Sequence, residues 1–260
     1  APLAAKARAP RNAAGISVLQ VRSTPPHDDR PIAISHGSRL ILERMGLWQG
    51  VPATPITAIH VSQRSGFGRT LISAADHGLD ALGHVVSYRD LVAALPCPAA
   101  VAARAGRVDE WSMAGDGVSL RIGEETLRAR LLVVADGGSG REPIKSPAGD
   151  RIKDYVQSAI VCEVETENAH RNVAWERFTP DGPVALLPFR NRYALVWTQP
   201  TARADELVAL DDAGFLRALQ AAFGNRAGQF RAAGPRALFP LSLRVRRNPA
   251  TERVIAVGNA

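Results

Sequence analysis

Lysine is almost missing from this chain: only Lys6, Lys145 and Lys153 occur, and the remainder of its 32 basic residues are arginines. Set against 25 acidic residues, they leave a formal charge of +7. Such a charge suits a phosphorylated cofactor, a nucleic acid or an acidic membrane face, and does not choose among them. The arginines are scattered along the chain and no nucleic-acid-binding motif accompanies them, so nucleic acid is not an expected partner. Cysteine is scarce too. Cys97 and Cys162 imply no disulfide framework and lack zinc-type spacing, which fits a reducing cytoplasm. The six histidines, at 27, 36, 60, 77, 84 and 170, stand singly, without the i, i+4 pairing of a helical metal site, so no metal is expected. No run approaches the ~20 apolar residues of a membrane span. The alanine-rich opening "APLAAKARAP" is broken by Lys6 and Arg8 and does not read as a signal peptide.

What is there is ordinary globular material, 46% hydrophobic and 22% charged over 260 residues, enough for one large or two closely joined domains. Residues 3 to 9 predict a helix, and "ISVLQV" (16–21) a short buried strand, the second half of a βαβ unit. After the proline-rich loop "TPPHDDRP" (24–31), "SHGSRLILERMG" (35–46) predicts a helix capped by Ser35 and stopped at Gly46. "AIHVSQRSGFGRTLI" (58–72) has two strand-like segments around a glycine loop, the pattern of a hairpin. Ser87 and Asp90 form a capping box ahead of Leu91, Val92 and Leu95, so a strand there feeds a helix.

Beyond residue 150 the character changes. "VQSAIVCEVE" (156–165), "VAWERF" (173–178) and "RYALVWT" (192–198) alternate in antiparallel style, and "VALLP" (184–188) is more continuously apolar. Turns at Pro180-Asp181-Gly182 and Arg190-Asn191 would join the last three into a meander. A helix over 213–223 presents Phe215, Leu216, Leu219 and Phe223 on one face. Two apolar strands, 131–135 and 254–257, end alike: the first in Asp136-Gly137, the second in Gly258-Asn259. In parallel α/β sheets a ligand lies beyond the carboxyl ends of the strands, where small polar side chains and bare glycine backbone can reach it. Ordinary turns would use the same residues, so this spacing alone leaves both readings open.

Four stretches in order, "PPHDDRPIAISHGSRLILERMGLW", "IHVSQRSGFGRT", "VADGGSGR" and "WERFTPDGPVALLPFRNRYALVWT", resemble the class A FAD-dependent aromatic monooxygenases, specifically the ubiquinone-biosynthesis hydroxylases that act on polyprenylated phenols. "VIAVGNA" is similar to the start of that family's last flavin motif. The resemblance implies an α/β fold: a Rossmann-like FAD-binding domain, incomplete at both ends, with an interleaved α+β substrate domain built on an antiparallel sheet. It implies a cofactor domain over 1–55, 85–140 and 250–260 and a substrate domain over 56–84 and 141–249. It further implies FAD contacts at Arg30, Arg89, Asp136, Gly137, Gly258 and Asn259, where many relatives carry an aspartate at the last of these positions. The resemblance places Trp175, Phe189 and Trp197 in or near the substrate pocket, although core packing is the simpler role for each.

The implied chemistry belongs to the flavin, which takes a hydride from NAD(P)H and uses molecular oxygen to hydroxylate an electron-rich ring. No catalytic side chain is assigned. A prenylated phenol would suit a cytoplasmic protein with peripheral membrane contact or contact with other biosynthetic enzymes. The chain departs from the pattern in three places. The family's G-x-G-x-x-G loop and first strand would precede Ala1, and its last glycine-rich loop and helix would follow Ala260. Where an acidic residue is expected to hold the adenosine ribose at the end of the second strand, "VLQVRS" supplies Arg22. These departures keep a second expectation in view, a truncated or degenerate non-catalytic relative that binds a lipid or partner enzymes. A serine hydrolase is disfavoured because Arg141 stands where the nucleophile elbow of "GGSGR" requires glycine. Phosphate-loop hydrolysis is excluded for want of G-x-x-x-x-G-K-[ST].

Overall fold

The computed structural model describes residues 15–23, 28–64, 66, 68–95, 101–137 and 150–258. The predicted helix over 3–9, Cys97 and Asn259 lie outside them. In chain order the first elements are β1 (Leu19–Arg22), β2 (Pro31–Ser35), α1 (His36–Arg44), β3 (Ala53–Ile56), β4 (Ala58–Gln63), β5 (Arg69–Ser73), β6 (Gly83–Ser87) and α2 (Tyr88–Ala93). Short strands follow: β7 (Ala102–Ala105), β8 (Glu110–Ala114), β9 (Gly117–Ile122), β10 (Glu125–Ala129) and β11 (Leu132–Val134). Then come β12 (Asp150–Thr166), β13 (Val173–Thr179), β14 (Gly182–Phe189), β15 (Arg192–Pro200), α3 (Thr201–Ala209), α4 (Asp212–Phe223), β16 (Phe230–Ala233), β17 (Ala237–Arg246) and β18 (Val254–Ala256).

The chain divides into two compact units, one of residues 1–26, 97–153 and 243–260, the other of 27–96 and 154–242. The first contains two parallel strand pairs, β1 with β7 and β11 with β18, and a three-stranded antiparallel sheet in the order β10-β9-β8. Gly123, at φ 61°, makes the tight β9–β10 turn expected of it. Its core is small: Val118 and Leu120 of the hairpin meet Val134, Val254 and Ala256 of the parallel pair.

The second unit is organised on an eight-stranded sheet in the order β16-β12-β15-β14-β13-β4-β5, with β17 also paired to β12. The expected meander of β13, β14 and β15 forms, and β4 joins β13 in parallel. One face carries α3 and α4, whose Leu207, Phe215, Leu219 and Phe223 pack on Ile160, Leu186, Leu195 and Trp197. The opposite face carries Ala174, Phe189 and Ala194, which meet Ile56 and Val85 of the small antiparallel sheet β2-β6-β3. The resemblance implies that 27–55 and 85–96 belong to the cofactor domain. Here the small sheet buries its apolar side on the large one, so these residues pack with the second unit. Both predicted caps form: Ser35 Oγ accepts the Ser38 N–H at 3.2 Å, and Ser87 Oγ accepts the Asp90 N–H at 3.0 Å.

Among the described residues no helix is long and apolar enough to cross a membrane, and no cluster of potential metal ligands occurs. Cys162 is buried in the helix-covered core, and desolvation pushes its thiol up to about 12. A thiolate reagent at neutral pH should therefore leave Cys162 unmodified in native protein and label it after denaturation. A Cys97→Ser background isolates this signal, and rapid native labelling would contradict the packing.

Acidification has a predictable sign as well. Burial, followed by the charge of Arg226, lowers the pKa of His60 from 6.5; burial, followed by Arg39, lowers that of His84. Below pH 6.5 the unfolded chain then binds protons that the folded chain refuses, so stability present above that pH declines as pH falls through it. Glu176, whose pKa burial raises from 4.5, works in the opposite direction at lower pH. Urea midpoints measured on either side of pH 6.5 should separate, and the separation should shrink in a His60→Gln/His84→Gln variant.

Candidate functional site

The first unit holds the strand ends singled out in the sequence. β11 and β18 run parallel with Leu132 opposite Val254 and Val134 opposite Ala256. Beyond that last rung the Val257 N–H still reaches the Val134 carbonyl at 2.9 Å, so the two chains leave the sheet side by side. Continuing the register sets Asp136 level with Gly258. Both glycines turn the chain with left-handed backbone, Gly137 at φ 71° and Gly258 at φ 66°. Nothing lies within 4 Å of where a Cβ would project from either. Asp136, Gly137 and Gly258 are all exposed. The sequence thus builds, from two four-residue signals more than a hundred positions apart, one ledge of bare backbone with a carboxylate on it.

Whether this ledge fits an extended dinucleotide depends on its donor set. A carboxylate accepts hydrogen bonds from sugar or ribityl hydroxyls, and glycine backbone without a Cβ lets a chain approach its N–H groups closely. Asp136, Gly137 and Gly258 supply both, so these residues fit the hydroxylated portion of FAD. At the end of the other parallel pair, Arg22 lies opposite Ala105 and is exposed. The missing acid is thus a property of the folded strand end and not only of the sequence.

The second unit places Arg30 and Arg89 together. The pairing of Pro31 with Ser87, extended by the Tyr88 N–H to the Arg30 carbonyl at 3.0 Å, sets both arginines at one end of the β2–β6 ladder. Each has a partner that the sequence reading did not assign. Arg30 binds Asp28 at 2.9 Å and lies 4.8 Å from the centre of the Phe239 ring, and Arg89 pairs with Asp29. The signal was present in the "DDR" of the proline-rich loop. Both ion pairs are exposed enough to be weak, so either arginine could exchange its carboxylate for a phosphate at little cost.

The three expected substrate-pocket aromatics separate. Trp197, 3% exposed, lies in the helix-covered core with its ring 5.9 Å from that of Phe215. Trp175 shares that face, its ring tilted against that of His60 at 4.6 Å and its indole hydrogen donated to the Tyr193 hydroxyl at 3.0 Å. Phe189 points the other way, into the core formed with Ile56 and Val85. The turns dictate this: pairing Trp175 with Leu186 and Phe189 with Arg192 puts odd positions of β14 on the face opposite odd positions of β13 and β15. One pocket floor cannot display all three.

Comparison with solved structures places the fold. The chain superposes on p-nitrophenol 4-monooxygenase PnpA of Pseudomonas putida DLL-E4 with a TM-score of 0.68 at 16% identity, covering 95% of this chain and 67% of that one. It superposes on the flavin-dependent monooxygenase PieE, solved with FAD and substrate, with a TM-score of 0.64 at 17% identity, covering 93% and 48%. The fold is that of the FAD-dependent monooxygenases. Among curated sequences, ubiquinone hydroxylase UbiL of Rhodospirillum rubrum is 33% identical over 262 residues, 95% of this chain and 61% of that protein. The mitochondrial ubiquinone biosynthesis monooxygenase COQ6 of Mus musculus is 31% identical over 217 residues, 76% and 45%. The chain is related to these ubiquinone-biosynthesis hydroxylases and spans between about half and three fifths of their length. No family model matches it.

Proposed function

We propose that the protein hydroxylates a phenolic ring, prenylated in the manner of ubiquinone precursors, with FAD, NAD(P)H and molecular oxygen. The observation that carries this reading is the paired end of β11 and β18, together with the 33% identity to a ubiquinone hydroxylase across nearly the whole chain. When bound, the flavin supplies hydride acceptance and oxygen activation. The chain's own work is positional. Asp136 accepts hydrogen bonds from the cofactor's hydroxyls, and the backbone at Gly137 and Gly258 admits it closely. Within the second unit, Arg30 and Arg89 offer guanidinium forks to a phosphate, and the large sheet serves the substrate, where Phe189 supports one face and Trp175 and Trp197 the other. A prenyl tail and the net charge of +7 together favour peripheral contact with a membrane or with neighbouring biosynthetic enzymes.

The test is turnover by full-length protein. NAD(P)H oxidation should accelerate with a prenylated phenol, and the product should gain one oxygen atom by mass spectrometry, traceable to labelled molecular oxygen. Arg22 at the β1 end favours a second reading, a non-catalytic relative that binds the lipid without transforming it. Binding of the phenol without NAD(P)H oxidation or oxygen incorporation would select that reading.

A further inference from the structure

The glycine hairpin β4–β5 is one of the strongest motifs in the sequence, and neither the cofactor ledge nor the pocket aromatics use it. On the sheet face that carries α3 and α4, the register sets Ser62 opposite Arg177 of β13 on one side and Arg69 of β5 on the other. One step back, His60 stands between Trp175 and Leu71. Arg64 follows Ser62 by two positions, its backbone N–H held by the Phe178 carbonyl at 2.8 Å. Arg226 comes from the loop after α4.

These arginines differ from others in the same unit. Arg192, Arg203, Arg231 and Arg236 each close on a carboxylate. Among the described residues Arg64, Arg69 and Arg226 have no ion pair. Arg177 gives one hydrogen to Ser62 Oγ at 3.3 Å, while its Nε is buried without a partner. His60 beside it is 7% exposed, and its Nδ1 is likewise unpartnered. The positive charges feel one another. After desolvation, Arg226 and Arg64 depress the pKa of Arg177, and Arg226, Arg69 and Arg177 depress that of His60; no carboxylate acts on either group. Glu176, the nearest acid in sequence, alternates to the opposite face of the strand. A patch of unopposed guanidinium groups, one partly desolvated, is built to receive negative charge, and planar forks match phosphate oxygens in pairs.

We propose that Arg64, Arg69, Arg177 and Arg226, with the Ser62 hydroxyl, form a phosphate-binding site at the β13-β4-β5 edge of the large sheet, separate from the residues assigned to FAD. The ligand is phosphorylated, either a soluble phosphate ester or a lipid headgroup. Leu71, 59% exposed on the same face, gives a headgroup's acyl chain an apolar neighbour.

The experiment titrates full-length protein with inorganic phosphate by calorimetry at constant ionic strength, then measures co-sedimentation with phosphatidic acid vesicles and with phosphatidylcholine vesicles. The probe variant is Arg69→Gln/Arg226→Gln; both side chains are exposed, so unchanged circular dichroism and flavin content should accompany it. Arg203→Gln, whose arginine is already paired with Glu206, is the control. Phosphate should bind wild type and the control alike, and affinity should fall about tenfold or more in the double variant as two charge-assisted contacts are lost. Sensitive binding to phosphatidic acid vesicles as well assigns the lipid source; phosphate binding without it assigns a soluble ester. Equal phosphate affinity in wild type and double variant, or none in either, overturns the site whatever the flavin reading becomes.

Discussion

Replacing Gly137 by valine should strip the full-length protein of flavin while leaving it folded. Gly137 sits at φ 71°, a conformation that costs an ordinary L-residue ~1–2 kcal/mol and a β-branched one more. Space is not the obstacle, because nothing stands within 4 Å of the added Cβ. The branched side chain would instead stand on the ledge beside Asp136 and Gly258, where the cofactor must approach. Loss of close contact there should weaken FAD by ~100-fold, equivalent to ~2.7 kcal/mol. Gly123→Val separates strain from occlusion. That glycine has φ 61° and equally open space, and it belongs to the β9–β10 turn of the same unit. The two variants should lose similar stability by urea denaturation, and only Gly137→Val should lose flavin by equilibrium dialysis. Equal retention of flavin in both would remove the ledge from the cofactor site.

The largest loss of stability should come from Phe215→Ala. Phe215 is fully buried on α4, its ring 5.9 Å from that of Trp197 and 4.8 Å from the Arg236 guanidinium. Truncation removes the transferred apolar surface and leaves a void that the sheet below, held by its ladder, fills poorly. Phe→Ala changes of this kind cost about 3–5 kcal/mol against a total of about 5–15 kcal/mol. Arg236 would keep its bonds to the Leu210 carbonyl and to Asp212 at 2.8 and 2.5 Å but lose the ring beneath it. The urea midpoint should fall accordingly with little change in m-value. A loss below about 1.5 kcal/mol would mean that the helix does not depend on this contact.

How far the sequence could be read follows from which interactions are local. Ser35, Ser87 and Gly123 act within four residues of themselves, and each behaves as its spacing implied. The β13-β14-β15 meander was legible because alternation and two short turns fix it. The split of Trp175 and Trp197 from Phe189 was also present in those turns, since their lengths set the register, but composition alone does not show it. By contrast, β4 meets β13 across 115 positions, a pairing no local pattern announces. The short helix α3 begins directly at Pro200 without a side-chain cap, and so gave no start signal. At the paired ends of β11 and β18 the residue types were legible in the sequence, their proposed cofactor role came from the resemblance, and their meeting came from the parallel register. The unpaired arginines around Ser62 were visible only as part of a basic total, because charge composition says nothing about which carboxylates fail to arrive.

The central claim is that Asp136, Gly137 and Gly258 form one surface that holds FAD. Its most direct test is the visible absorption of the purified full-length protein before and after dialysis against FAD, with the flavin released by denaturation and quantified. The purified protein should show the two visible bands of an oxidised flavin and release one FAD per chain. A colourless protein that takes up no FAD on dialysis would contradict it.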